Sequence, residues 1–182
     1  DLIPRITPWV RGCSDAMMKQ ALRYAVREFA RDTWAITEKI TITTVADTTD
    51  YDLDSIYSAG IMRVRNIKDD DAYLQFKMGD NPYSIEFYSA PEAGETYLAE
   101  CVILPDEDCT GIPQNIINEW GDGIAAGCIY NLLSMTGYPW SNPTDAALNE
   151  MRYDKQTADA KRAMASSRLS DRKTRLEANC DR

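Results

Sequence analysis

Residues 14–43 read SDAMMKQALRYAVREFARDTWAITEKITIT, and the spacing of apolar side chains changes in the middle of this stretch. Up to Trp34 the apolar residues recur at intervals of three and four, which predicts an amphipathic helix over 14–34. Beyond it, isoleucines alternate with polar residues as far as Thr43, which predicts a half-buried strand with Glu38 on its apolar face. A helix therefore leads directly into a sheet.

Further strands are predicted between turn signals rich in Asp, Gly, Asn and Pro. They span residues 61–68, 73–78, 83–88 and 97–104. Short strands with regularly spaced turns are typical of a small antiparallel sheet, a sandwich or a barrel. The whole segment 35–105 is therefore predicted to be a β insert.

Two more helices are predicted after this insert. One covers 113–136, with Pro113 suited to a first helical position and Gly137 to the position after the helix. The other covers 144–165, which is rich in alanine. In the former helix, glycine at positions 121, 123 and 127 indicates that another backbone lies close, and we expect helix 14–34 to be that neighbour.

The expected fold is α+β. It is a bundle of about three helices, with the small antiparallel sheet or sandwich inserted between the first and second of them. Residues 1–165 form a single domain, and residues 166–182, which contain few apolar side chains, form either a frayed helix or an extended C-terminal tail that becomes ordered on a partner. At 182 residues with 44% hydrophobic composition, the chain can bury one substantial core.

Composition argues against catalysis and against a cofactor. The chain contains no histidine, so Ser-His-Asp, Cys-His and His-ligated metal sites are excluded. Its five cysteines are far apart and include no C-x-x-C pair, which favours free thiols, although a disulfide between Cys101 and Cys109 is compatible with their spacing. Two acidic runs, Asp69-Asp70-Asp71 and Asp106-Glu107-Asp108, leave a carboxylate-dependent, metal-assisted hydrolase as the remaining enzyme hypothesis, and solvated loops are favoured for both.

Charge is distributed unevenly. The net charge is −9, yet from Lys161 onward the chain carries seven basic and three acidic residues. A row of four cations also follows one face of helix 14–34, namely Lys19, Arg23, Arg27 and Arg31. This row is either a solvated face or a contact with another subunit or a partner. No apolar run is long enough to cross a bilayer, so no membrane association and a cytoplasmic origin are expected.

The order of several short motifs resembles that of the head-tail connector adaptor proteins of tailed bacteriophages. In the first half these motifs are Cys13-Ser14-Asp15, ALRYAVREF at 21–29, Tyr51-Asp52-Leu53 and GIMRV at 60–64. In the second half they are Leu104-Pro105, Ile112-Pro113, the Ala- and Gly-rich stretch 123–133 and YPWSNP at 138–143. The resemblance covers about residues 11–165.

This resemblance implies a non-catalytic structural virion protein, assembled in the host cytoplasm and located in the neck. Its subunits would form a ring, typically of twelve, that joins the portal protein to the next tail or neck component. Genomic DNA would pass through the ring without specific binding, which suits an acidic body. The carboxy-terminal tail would dock on the portal, so we expect the contacts from Arg168, Leu169, Arg172, Lys173, Arg175 and Leu176. The alternative is an accessory or assembly protein that binds a protein partner without forming a ring.

Overall fold

The computed structural model describes residues 1–57, 59–69, 72–81, 83–106 and 111–180, and the side chains of all these except 72 and 167–180. The chain divides into two compact units. The helical unit consists of Asp1–Ala35 and Ile112–Ser170, and the β unit is formed chiefly by Ile36–Gly111. The α+β class, with the sheet inserted between helices, is confirmed.

The helices of the described chain are α1 (Ile3–Ile6), α2 (Asp15–Thr33), α3 (Gln114–Leu133) and α4 (Pro143–Cys180). Helix α2 begins where expected because the Ser14 hydroxyl accepts a hydrogen bond from the Met17 N–H, at 3.4 Å. It ends at Trp34, which adopts the left-handed conformation with φ of 55°. Phe29 of α2 lies against Trp120 of α3 and Tyr153 of α4, with ring centroids 6.2 and 6.5 Å apart, and these three rings join the helices.

The later helices differ from expectation at their ends. Helix α3 ends at Leu133, and Gly137 takes a φ of 85° in the turn that follows rather than next to the helix. The Ser134 hydroxyl donates to the carbonyl of Tyr130 at 2.8 Å, a side-chain bond that competes with continuation of the helix. Helix α4 continues to Cys180, well past the predicted end at 165, so the backbone of the tail is helical as far as that residue.

The glycines of α3 do mark close approaches, but not to the helix that was expected. A Cβ at Gly123 would lie 2.6 Å from Cβ of Gln156, and one at Gly127 would lie 2.7 Å from the Tyr153 ring, both on α4. A Cβ at Gly121 would meet the side chains of the α1 segment instead. Helix α2 packs on another face of α3, where the bulky side chains point.

The β unit contains two antiparallel sheets in its described part. One has the strand order β1-β7-β3-β4 and the other β2-β6-β5. The strands are β1 (Thr37–Thr43), β2 (Asp50–Asp52), β3 (Gly60–Asp69), β4 (Ala72–Tyr73), β5 (Phe76–Met78), β6 (Ser84–Phe87) and β7 (Thr96–Leu104). Phe87 packs edge-on against Tyr51 and Tyr97, at 5.6 and 5.8 Å, and so connects the two sheets through one apolar core.

Strand β1 confirms the alternation found in the sequence, whereas the predicted strand 73–78 is wrong as a single element. Along β1 every second residue from Glu38 is buried, and Glu38 itself is 5% exposed. The segment 73–78 instead splits into β4 and β5, which belong to different sheets. The Leu74 N–H still donates to the carbonyl of Ile67 on β3, at 2.9 Å, so the chain leaves the first sheet only after Leu74.

Two carboxylates of the β unit, Glu38 and Glu100, accept hydrogen bonds from more than one donor. The Glu38 carboxylate accepts from the Ser55 hydroxyl at 2.5 Å and from the Ile56 N–H at 2.8 Å. These bonds tie the loop between β2 and β3 to the edge strand β1. On the neighbouring strands Glu100 accepts from both Arg65 and Asn66, each at 3.0 Å, so that this carboxylate is shared by two donors.

Candidate interaction surfaces

The predicted cation row on α2 lies at the surface. Lys19, Arg23 and Arg31 are exposed and Arg27 is half-buried. None of the four forms an ion pair within 4 Å with a residue that the structure describes. Four cations at i, i+4 spacing repel one another unless an anionic surface approaches. The row is thus available for a contact.

The six tail residues that were expected to dock on a partner fall on the last turns of α4. The backbone there is helical to Cys180, but the side chains of residues 167–180 lie outside the described part of the chain. Their expected contacts therefore stay predictions.

The acidic runs form no metal site in the part of the chain that is described. Asp69 ends β3 and Asp106 follows β7, while the other members of both runs lie outside the described residues. Among the side chains with described positions, no three His, Cys, Asp or Glu residues come together as metal ligands. The described helices likewise include none with the length and apolarity to cross a membrane.

The described cysteines are free thiols, and two of them lie in the core. Cys101 and Cys128 are fully buried, and burial raises the pKa of each to about 12. Cys128 donates its weak S–H bond to the carbonyl of Met18 at 3.8 Å. Cys13 is partly exposed, and burial also raises its pKa. A thiol with a raised pKa is a poor nucleophile, so the buried Cys101 and Cys128 serve packing.

A pocket of about 380 Å³ opens in the helical unit, among α1, α3 and α4. Sequence reasoning did not find it. Its wall consists of charged and amide side chains around a small apolar floor, namely Arg5, Trp9, Asp122, Ala125, Ala126, Ile129, Asn149, Arg152, Lys155 and Gln156. Because three of these residues are cations and one is an acid, the pocket is positive in a chain whose net charge is −9.

Two of the four charged groups in the pocket neutralise each other. Arg5 Nη1 lies 2.7 Å from Asp122 Oδ1, which fastens α1 to α3. The guanidinium of Arg152 lies 5.6 Å from the centre of the Trp9 ring, in the geometry of a cation–π contact. Arg152 and Lys155 are both exposed and neither is ion-paired with a described residue. The pocket therefore offers two unneutralised cations beside an aromatic ring.

The sequence held only a faint signal for this pocket. Arg152, Lys155 and Gln156 follow one another at helical spacing, so they share one side of α4. Arg5 and Trp9 lie in the first ten residues. The short helix α1 there lacks the repeated apolar spacing from which a helix is predicted. Only packing of α1 against α3 brings these distant residues together.

An acidic surface with tyrosines is formed by α2, α3 and α4. Glu28 raises the pKa of Tyr24 by a hydrogen bond with its hydroxyl, and Glu150 raises the pKa of Tyr130 by its charge and by a hydrogen bond. Asp154, one turn beyond Glu150, adds to the effect on Tyr130. Tyr24, Glu150 and Asp154 are exposed. We call these five residues the acidic tyrosine surface.

Large apolar side chains are exposed in both units. Met151 on α4 is 71% exposed, and in the β unit Ile56 and Tyr88 are 77% and 69% exposed. Ile56 is the residue whose N–H is bound by the buried Glu38, so its position is fixed although its side chain faces solvent. Exposed apolar side chains on a fixed backbone are suited to protein contacts.

The chain matches no protein-family model. No curated protein is significantly similar to it. The chain's own residues and their geometry are therefore the basis for its proposed function.

Proposed function

We propose that this chain is a head-tail adaptor subunit of a tailed bacteriophage, which forms a ring between the portal and the next tail component. The order of motifs described above motivates the proposal, and the surface of the helical unit supports it. That unit carries a positive pocket, a cation row and an acidic tyrosine surface, all formed by side chains held on helices. A ring subunit needs non-equivalent surfaces of this kind, because each copy contacts two neighbours through different faces.

The observation that carries the proposal is the length of α4. It spans 38 residues, from Pro143 to Cys180, or about 57 Å at 1.5 Å per residue. Between residue 166 and Cys180 its sequence contains two leucines, four basic residues and two acidic residues. Such a segment has too few apolar side chains to be stabilised by burial in its own domain, so a partner with an acidic groove supplies the missing contacts. In the adaptor role this partner is the portal.

The acidic character of the rest of the chain is compatible with a channel for DNA. Without residues 161–182 the chain has a net charge of −13, and an acidic wall repels phosphates rather than binding them. DNA then passes without being retained.

Particles assembled without this protein provide the direct test. Negative-stain images should show DNA-filled heads that lack tails, whereas complete virions would refute the adaptor role. Deleting residues 166–182 should abolish incorporation of the protein into particles while leaving its folded core intact by circular dichroism. Normal incorporation would refute portal docking by the tail.

Mass measurement of the purified protein with and without portal separates the ring from the accessory role. A complex containing many copies per portal supports the ring. A complex with one copy per partner chain would favour the accessory protein instead.

A further inference from the structure

We propose that the positive pocket of one copy binds the acidic tyrosine surface of a second copy, so that the chains associate head to tail. The inference rests on the proposed ring and names the contact by which neighbouring copies meet. The pocket supplies Arg152 and Lys155 together with the Trp9 ring. The acidic tyrosine surface supplies Glu150 and Asp154, together with the exposed Tyr24.

The two surfaces are chemically complementary. Two cations without ion-pair partners would meet carboxylates that also form no described ion pair, and desolvation strengthens such pairs at the centre of an interface. Tyr24 is 55% exposed and lies beside the carboxylate of Glu28, so the acidic tyrosine surface presents a ring and a carboxylate side by side. The pocket presents a ring and a guanidinium side by side, in the same arrangement with the opposite charge.

The size of the pocket agrees with this occupant. A volume of about 380 Å³ accommodates two or three side chains and is near the lower limit for a small-molecule site. Its floor of Ala125, Ala126 and Ile129 leaves room for an apolar or aromatic side chain between the cations. A neighbouring protein surface that offers a tyrosine flanked by carboxylates fills it.

The placement of the two surfaces around α4 decides the type of association. At about 100° per residue, the midpoint of positions 150 and 154 lies roughly 150° around the helix from the midpoint of the pocket cations at positions 152 and 155. One copy cannot use both surfaces on the same neighbour, because they point in nearly opposite directions. Each copy must therefore contact two neighbours, which is a heterologous contact and produces a closed ring or an open filament rather than a twofold dimer.

Neutralising each surface separately tests the contact. In the pocket variant Arg152→Ala is combined with Lys155→Ala, and in the acid variant Glu150→Gln is combined with Asp154→Asn. Sedimentation of the wild type at low salt should show species larger than two chains at increasing concentration. Each variant alone should need at least roughly tenfold more protein to associate. Lys161→Ala, which removes an exposed charge from the same helix outside both surfaces, should behave as the wild type.

Mixing the two variants in equal amounts gives the most specific result. The acid variant keeps an intact pocket and the pocket variant keeps an intact acidic surface, so together they should form a complex of two chains and nothing larger. High salt should weaken this complex. Circular dichroism and melting temperature establish that both variants are folded.

Several outcomes would overturn the contact. These are a wild type that stays monomeric or stops at two chains, variants that associate as the wild type does, and a mixture that forms no complex. The adaptor role is tested separately in particles. If the pocket variant still forms complete rings on the portal, the proposed contact is wrong and the adaptor role stands.

Discussion

Replacing Gly123 by alanine should destabilise the helical unit, although alanine is the better helix former. A Cβ at this position would lie 2.6 Å from Cβ of Gln156 and 3.0 Å from its Cγ. Carbon atoms in favourable contact stay about 3.5–4.0 Å apart. Because Cβ of Gln156 is fixed to the backbone of α4, that helix must move by roughly 1 Å to relieve the overlap.

The net effect follows from two opposing terms. Alanine in place of glycine stabilises a helix by about 1 kcal/mol. Overpacking costs about 1–3 kcal/mol, and contact with an atom anchored to the backbone places Gly123→Ala near the upper end. The free energy of unfolding should therefore fall by about 2 kcal/mol. In a chain of this length that lowers the melting temperature by about 4–8 °C.

Gly121→Ala is the matched control, because it makes the same substitution two residues earlier in α3. There the new Cβ would lie 3.1 Å from Nη1 of Arg5 and from Cδ2 of Leu2, which are the far ends of flexible side chains. Contacts of 3.1 Å are relieved by shifts of a few tenths of an ångström in these side chains, so the variant should be unchanged or up to about 1 kcal/mol more stable. Thermal and urea unfolding followed by circular dichroism compare the two variants. The reasoning is refuted if Gly123→Ala melts at or above the wild type.

Two further predictions concern buried groups. Glu38→Ala should lower the free energy of unfolding by about 2–3 kcal/mol, because a hydroxyl and a backbone N–H of the β2–β3 loop lose their charged acceptor. Urea unfolding measures this loss. The control Glu38→Gln should lose less free energy of unfolding, and unchanged stability of the alanine variant would contradict the prediction. Iodoacetamide at about pH 8 should alkylate Cys13 in the folded protein but not Cys101 or Cys128, since burial raises the pKa of the latter two to about 12. Peptide mass spectrometry measures the rate at which each thiol is alkylated. Equal rates at all three thiols would disprove the prediction. The raised pKa values also mean that the thiols' contribution to stability is complete below their unfolded pKa and is lost as pH rises toward 12.

Predictions made from strong local periodicity in the sequence were the most accurate. The amphipathic spacing before Trp34 and the alternation after it predicted α2 and β1 closely, including the burial of Glu38 with its isoleucine neighbours. Both patterns express one repeated environment along a single element, so they can be read without knowing what lies opposite. The hydrogen-bond partners of Glu38 could not be predicted, because they lie in a loop 17 and 18 residues away.

The spacing of residues in the sequence was insufficient to identify which element packs against a given position. The glycines of α3 correctly indicated a close backbone, yet the backbone belongs to α4 at Gly123 and Gly127 rather than to helix 14–34. Spacing along one helix shows which positions must be small but not which element packs there. The segment 73–78 failed for a related reason, since a continuous strand-like composition does not reveal where the chain leaves one sheet for another.

The sequence by itself determined the α+β class, the insertion of the sheet between helices, the acidic body with its basic end, and the exclusion of histidine chemistry. Composition and periodicity suffice for these, because each depends on residues that are near one another in the chain. Only the tertiary structure decided that Arg5, Trp9 and Arg152 share one pocket, and that Glu150 and Asp154 lie beside Tyr130 of α3. Residues more than 140 positions apart meet only when the helices have packed, and surfaces for binding a second copy arise from that packing.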